Sequence, residues 1–221
     1  MLILIFADMS KIAVIAGKTG AKEWLTSRLP AQWECIWVNE ADELEQHRDA
    51  TLFMDLDFTV EADRIRQLSR LLPAPVVINA VVPTLKDIGQ PFIRINAWPG
   101  MLERNIHELA LTTPPPEKLD EFYAQLNLSY RIVPDVAGMI SGRILAMIIN
   151  EAYYTLQEDV STKEEIDTAM KLGTNYPFGP FEWSEKIGLQ NIYDLLNNLS
   201  KSDTRYTPAN AIKEALTGIK I

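Results

Sequence analysis

The sequence predicts an α/β domain over residues 1–134, built on a mostly parallel sheet, followed by an all-α domain over residues 135–221. Two observations carry that division. Up to Val133, short apolar runs alternate with amphipathic segments, a spacing that means strands joined by helical crossovers. Beyond Pro134 the strand-like runs stop and apolar residues recur at helical spacing.

Residues 12–16 (IAVIA) form a continuous apolar run, as expected of a strand covered on both faces of a parallel sheet. Gly17 and Gly20 bracket a turn, and residues 21–29 read as a helix ended by Pro30. Residues 35–38 (CIWV) and 50–56 (ATLFMDL) give the second and third strands. Residues 60–72 give an amphipathic helix closed by Pro73. A fourth strand is expected at 75–82, a fifth at 92–95 and a sixth at 106–112. Pro114, Pro115 and Pro116 then lead into a helix with Leu119, Phe122, Tyr123 and Leu126 on one face, and residues 130–133 close the α/β part. The apolar residues 1–7 are too short to cross a bilayer and lack a basic leader. They read as an extra edge strand or as a start placed too early, with Met9 the alternative to Met1.

In the second domain, residues 139–156 are apolar almost all round, which suits a helix central to a bundle or buried in a dimer. Ser161 with Glu164 has the spacing of a capping box, opening a helix that ends at Gly173. Pro180 is placed to begin the next helix, Gly188 separates it from one over 189–199, and Pro208 begins the last.

Composition narrows the function classes. Of 221 residues, 47% are hydrophobic and 23% charged, as in ordinary globular proteins. The net charge of -9 sets the chain's own field against nucleic acid and against anionic lipid. Cys35 is the single cysteine, and the two histidines, His47 and His107, have no ligand-like spacing, so no metal is expected. A reducing, cytoplasmic setting follows as the simplest expectation. His47 sits in a charged segment and reads as solvated.

The first strand and its turn invite a dinucleotide reading. Backbone must approach a pyrophosphate closely there, hence the three glycines of G-x-G-x-x-G. AGKTGAKEW supplies Gly17 and Gly20 without the full pattern. Lys18 could meet a phosphate, and Glu40, beside Asn39, could grip a ribose after the second strand. A purely structural turn fits the same residues. This makes the first domain a truncated Rossmann-like unit in expectation.

The stretch EIDTAMKLGTNYPFGPFEWSEKIGL, with Asp167, Ala169, Met170, Gly173, Pro177, Gly179, Pro180, Phe181 and Gly188, resembles the C-terminal domain of the 3-hydroxyacyl-CoA dehydrogenase family. The preceding helix, with Gly138, Arg143, Asn150 and Glu151, and the closing RYTPANAIKEAL look like the same domain. The likeness continues more faintly back to Lys11, with a region missing between the second and third strands.

That resemblance implies NAD-dependent oxidation of a 3-hydroxyacyl-CoA, with a histidine taking the hydroxyl proton and a carboxylate fixing its tautomer. It also implies pairing of two copies through the helical domain and an acyl-CoA ligand. Anchored on Asn96 and Met101, the histidine position falls on Ile93, beside Arg94, and the glutamate position on Asn105. The serine position falls on Val81 or Val82, and the asparagine of the helical domain on Gly142. Asn79, Asn96 and Arg143 match and are the candidate substrate contacts. Glu103, Glu108 and His107 are the nearby ionisable groups that could stand in. Two functions remain open: an NAD-dependent oxidoreductase with a new proton acceptor, or a non-catalytic dimeric relative that binds nucleotide or acyl-CoA or serves as a scaffold. The residues favour the second. The apolar helix and Tyr176, Phe178, Phe181 and Trp183 are available either to a homodimer or to the chain's own first domain.

Overall fold

The computed structural model describes residues 10–17 and 20–218. The leading apolar segment, the choice between Met1 and Met9, and Lys18 lie outside the described residues. The chain forms two compact units, Met1–Asp135 and Val136–Ile221.

The first unit is a seven-stranded sheet: β1 (Ser10–Ile15), β2 (Trp33–Trp37), β3 (Leu52–Asp55), β4 (Val76–Asn79), β5 (Ile93–Ile95), β6 (Ile106–Ala110) and β7 (Ser129–Ile132). Its order is β2-β1-β3-β4-β5-β6-β7. All neighbours run parallel except β5 and β6. Successive residues of a strand face opposite sides, and here both sides are covered. Ile12, Val14, Leu52 and Met54 pack on one side with Ala21 and Leu25 of α1 (Ala21–Arg28) and Leu119 and Phe122 of α4 (Glu117–Gln125). Ala13, Ile15, Phe53 and Ile78 pack on the other with Leu68 of α2 (Ala62–Ser69) and Leu85 and Ile88 of α3 (Leu85–Ile88). The mostly parallel sheet expected from the apolar runs is therefore the sheet observed. From β1 the chain steps to β2 on one side, then crosses to β3 on the other. The carboxyl ends of β1 and β3 thus form the switch point where open α/β sheets bind ligands.

Two elements of the first unit escape the sequence reading. The single turn α3 is held by a capping box between Thr84 and Asp87, and is too short to show a helical period. A 3-10 turn over Glu43–His47 buries Leu44, so the charged segment around His47 is anchored and His47 is half-buried rather than solvated.

The second unit holds α5 (Ser141–Gln157), α6 (Lys163–Thr174), α7 (Pro180–Ile187), α8 (Leu189–Ser200) and α9 (Asn210–Thr217). Helix α5 packs against α7, α8 and α9. It is not buried all round, because Leu145, Ile149 and Ala152 are covered while Ile144, and Ile140 just before the helix, are half-exposed. The capping box at α6 is Thr162 with Glu165, one residue later than expected, and the Ser161 hydroxyl donates to the Glu165 carboxylate instead. Helix α6 runs through Gly173 and stops at Asn175, which takes the left-handed φ of 55°. Helix α9 starts at Asn210, two residues beyond Pro208.

Candidate cofactor and catalytic site

Gly17 follows Ala16, the residue just past the end of β1, and Gly20, with a left-handed φ of 65°, precedes α1 with no side-chain cap. Their spacing is that of the second and third glycines of the dinucleotide fingerprint, with buried Ile15 in the place of the first. The second glycine is the one that leaves room for a pyrophosphate. A Cβ on Gly17 would lie 3.5 Å from Oδ2 of Asp57, just past the end of β3, an ordinary contact distance.

Asp57 belongs to an acidic rim. Asp55, fully buried at the end of β3, accepts from Arg64 Nε at 2.6 Å and Nη2 at 2.7 Å. Burial pushes the Asp55 carboxyl up, and the Arg64 guanidinium works against that shift. Asp55, Asp57 and Glu40 all raise the pKa of Arg64. One guanidinium, already committed to Asp55, thus faces three carboxylates. Beside Gly20 and Ala21, Trp98, Leu102 and Glu103 line a small void of about 10 Å³, room for about one water. A dinucleotide diphosphate needs open space and positive potential at this turn, and among the described residues the charges near Gly17 are mainly acidic.

The carboxyl ends of β4 and β5 are equally committed. Asn79 Nδ2 donates to the Leu56 carbonyl at 3.1 Å, and its Oδ1 accepts from Ala97 N at 3.0 Å, tying three strand ends together. Asn96 is buried and accepts from Trp98 N at 3.2 Å. Ile93 is buried in the apolar layer with Ile95 and Leu102. Arg94 points to the opposite side and is fully buried. Its Nε donates to the Ala80 carbonyl at 2.8 Å, its Nη2 to the Val81 carbonyl at 3.0 Å, and its Nη1 to Asp135. Asp135 also accepts from Leu85 N, closing the loop onto α3. Burial lowers the Arg94 pKa, with Asp135 opposing. Val81 is buried and Val82 half-buried.

Of the ionisable stand-ins, Glu103 is exposed and Glu108 half-buried. His107, on β6, is 2% exposed. Its Nδ1 lies 3.0 Å from the Tyr123 hydroxyl and its Nε2 3.0 Å from the Leu102 carbonyl. A carbonyl only accepts, so Nε2 carries the proton and Nδ1 accepts from Tyr123. Both nitrogens are engaged, and burial lowers the His107 pKa. The Trp24 and Tyr123 rings pack against it. The structure brings Gly17 to Asp57, Gly20 to Glu103, and Asn79 to the residue after Asn96. His107, on β6, meets that group through Leu102 and Trp24, and Arg143 lies in the second unit. Sequence reasoning missed Asp57 and the Asp55–Arg64 pair. The signal was present in MDLDF, two acids at the end of an otherwise apolar strand.

Among the described residues no group of His, Cys, Asp or Glu could hold a metal ion, and no helix is long and apolar enough to cross a membrane.

Comparison with known proteins separates the two units. Residues 138–217 match the family model for the 3-hydroxyacyl-CoA dehydrogenase C-terminal domain. Over those residues the chain is similar to the C-terminal domain of that family, and the match takes in 36% of the chain. A 3-hydroxyadipyl-CoA dehydrogenase of Escherichia coli is 44% identical over 84 residues, covering 37% of this chain and 18% of that protein. A 3-hydroxybutyryl-CoA dehydrogenase of Bradyrhizobium diazoefficiens is 40% identical over 94 residues, covering 42% of this chain and 32% of its own. The match therefore spans less than a third of either relative. The crystal structure of an (S)-3-hydroxybutyryl-CoA dehydrogenase from Ralstonia eutropha aligns over 95% of this chain and 94% of that one, with a TM-score of 0.70 and 19% identity. That likeness establishes a shared fold along the chain.

Within that matching region, the residues that carried the resemblance have structural tasks. Both Asp167 oxygens accept from the start of α7, from Phe181 N at 2.8 Å and Glu182 N at 3.2 Å. A Cβ on Gly179 would sit 2.3 Å from that carboxylate, so only glycine fits. Asn150 donates to the Thr207 carbonyl and accepts from Ala209 N, each at 2.9 Å, fixing the entry to α9. Arg143 donates to the Ala137 carbonyl from Nε at 3.3 Å and Nη2 at 3.0 Å, with its guanidinium 5.6 Å from the Tyr206 ring centre. Gly142 is buried inside α5.

Proposed function

We propose that this chain is a non-catalytic relative of the 3-hydroxyacyl-CoA dehydrogenases, a dimer that keeps the helical domain and has lost histidine-assisted proton abstraction. One observation carries the reading: Ile93, at the position of the family's histidine, is buried in an apolar layer, while His107 has both nitrogens bound within its own unit. An aliphatic side chain takes no proton, and a neutral buried imidazole held on both sides would have to break a bond to take one. Glu103 is exposed, with no closed site around its carboxylate among the described residues.

Pairing through the helical domain is supported by its apolar surface. Ile140, Ile144, Leu172, Tyr176 and Phe178 are at least a third exposed, with Leu172 at 83%. Phe181 and Trp183 are instead buried. The role that fits is a scaffold or regulator, with acyl-CoA the ligand class to test and a cytoplasmic setting the expectation.

The likeness to a 3-hydroxyadipyl-CoA dehydrogenase supports a second reading, a working NAD-dependent oxidoreductase on a 3-hydroxyacyl-CoA. A steady-state assay of NADH oxidation with acetoacetyl-CoA separates the two. The proposal expects a rate that does not rise above the protein-free blank as enzyme concentration is increased. A rate proportional to enzyme would replace it with the second reading.

A further inference from the structure

In the helical unit, α6, the segment that follows it and α7 wall an open groove of about 600 Å³, lined by Lys171, Pro177, Phe178, Glu182, Glu185 and Lys186. Its charges are of two kinds. Glu182 is committed inside the unit, accepting from Lys171 Nζ and from the Gly179 N–H at 2.9 Å. Glu185 and Lys186 lie exposed on α7, and neither forms an ion pair among the described residues. The Lys186 ammonium rests 5.1 Å from the centre of the Phe178 ring. Phe178 in turn packs edge-on against buried Trp183 at 4.9 Å, which gives the groove an aromatic floor backed by the core. Phe178 is 36% exposed, and Tyr176 and Leu172, close to it in the chain, are 38% and 83% exposed.

We infer that the pairing surface takes in this groove, each copy of the chain setting its Lys186 against Glu185 of the other. Pairing of two copies is the reading proposed above; the groove gives it a place and names the charges that fix its register. Two features single out a second copy as the occupant. A carboxylate and an ammonium, each without an ion-pair partner, stand on adjacent residues at the rim. A partner carrying one sign of charge would satisfy one of them and repel the other. A two-fold contact sets the same patch on both sides, so α7 running antiparallel to its copy brings Glu185 to Lys186 and Lys186 to Glu185 at once. The surrounding surface is the second feature. Phe178, Tyr176 and Leu172 offer the aromatic and aliphatic area that an interface needs at its centre, and covering them shields both ion pairs from water. Each chain carries a net charge of -9, so two copies repel at long range and need local compensation where they touch.

The test is sedimentation of the full chain over a concentration series. Wild type is compared with Glu185→Lys, with Lys186→Glu, with an equimolar mixture of those two variants, and with the variant carrying both changes. Both side chains are exposed, and circular dichroism would confirm that each variant is folded. Either single reversal sets like charges against each other twice in every dimer. Each is expected to weaken the dimer's Kd on the order of tenfold or more. The mixture and the double reversal both restore opposite charges at the two contacts, and both are expected to recover pairing close to that of wild type. Single variants that pair as tightly as wild type would overturn the inference and leave pairing to another surface. A loss that neither the mixture nor the double reversal recovers would overturn it as well. A wild type that stays monomeric at every concentration would sink it together with the dimer reading.

Discussion

His107 illustrates how a residue's type and its task diverge. From the sequence it is an ionisable group on a strand close to the catalytic segment. Its partners lie five residues back, at the Leu102 carbonyl, and sixteen residues on, at Tyr123 in α4. No local pattern links a strand residue to a helix that packs across the sheet, so this pairing was not legible. The consequence is measurable. The folded chain holds His107 below the ordinary value of 6.5 because burial disfavours the imidazolium. The unfolded chain therefore takes the proton first. This contribution to stability is complete above that value and is lost as pH falls through the lowered one. Urea melts between pH 7.5 and pH 5 are expected to show a loss of stability in wild type that is smaller in His107→Gln. Equal losses would mean that His107 is free to protonate in the folded state. Arg94 gives a second prediction at this scale. Its guanidinium is fully buried and Asp135 is its carboxylate partner. Asp135→Ala is expected to cost about 3 kcal/mol in urea unfolding, because it removes the carboxylate bonded to a fully buried guanidinium.

Among the elements, the parallel strands were the most legible, because burial on both faces makes each an unbroken apolar run. Helix ends were less so. Ser161–Glu164 and Thr162–Glu165 have the same spacing and nearly the same chemistry, and only the chain's entry angle decides which pair caps α6. Thr162→Ala is expected to cost about 1 kcal/mol, the usual worth of an N-cap hydroxyl, and Ser161→Ala less. Gly179 was legible as a matching family position, but its reason was not. Asp167, from the preceding helix, occupies the space a side chain would need. Gly179→Ala is therefore expected to cost about 3 kcal/mol through overpacking, measured by thermal or urea unfolding of the full chain. A change below half of that would mean that Asp167 moves aside and α7 does not depend on its cap.

For the molecule as a whole, the order of an α/β unit before a helical one was open to sequence reading, because the period of the apolar residues changes at Pro134. The fate of the nucleotide crevice was not. Gly17 and Gly20 look like the remains of a binding turn, and nothing in their sequence neighbourhood reveals that Asp57, past the end of β3, lies near Gly17. Dimer formation belongs to this scale too. Ile144 is 55% exposed on α5, so Ile144→Asp leaves the fold intact while placing a charge on the apolar surface. Sedimentation is expected to show a dimer for wild type and a monomer for the variant, and an unchanged dimer would place the pairing surface elsewhere. The central claim, that no group in this chain abstracts the substrate proton, is tested most directly by a single-turnover measurement. Wild type and His107→Gln, each in excess over NADH, are mixed with acetoacetyl-CoA. The account predicts that neither consumes NADH faster than the protein-free mixture. Rapid consumption by wild type that disappears in His107→Gln would contradict it and make that buried imidazole the acid–base group.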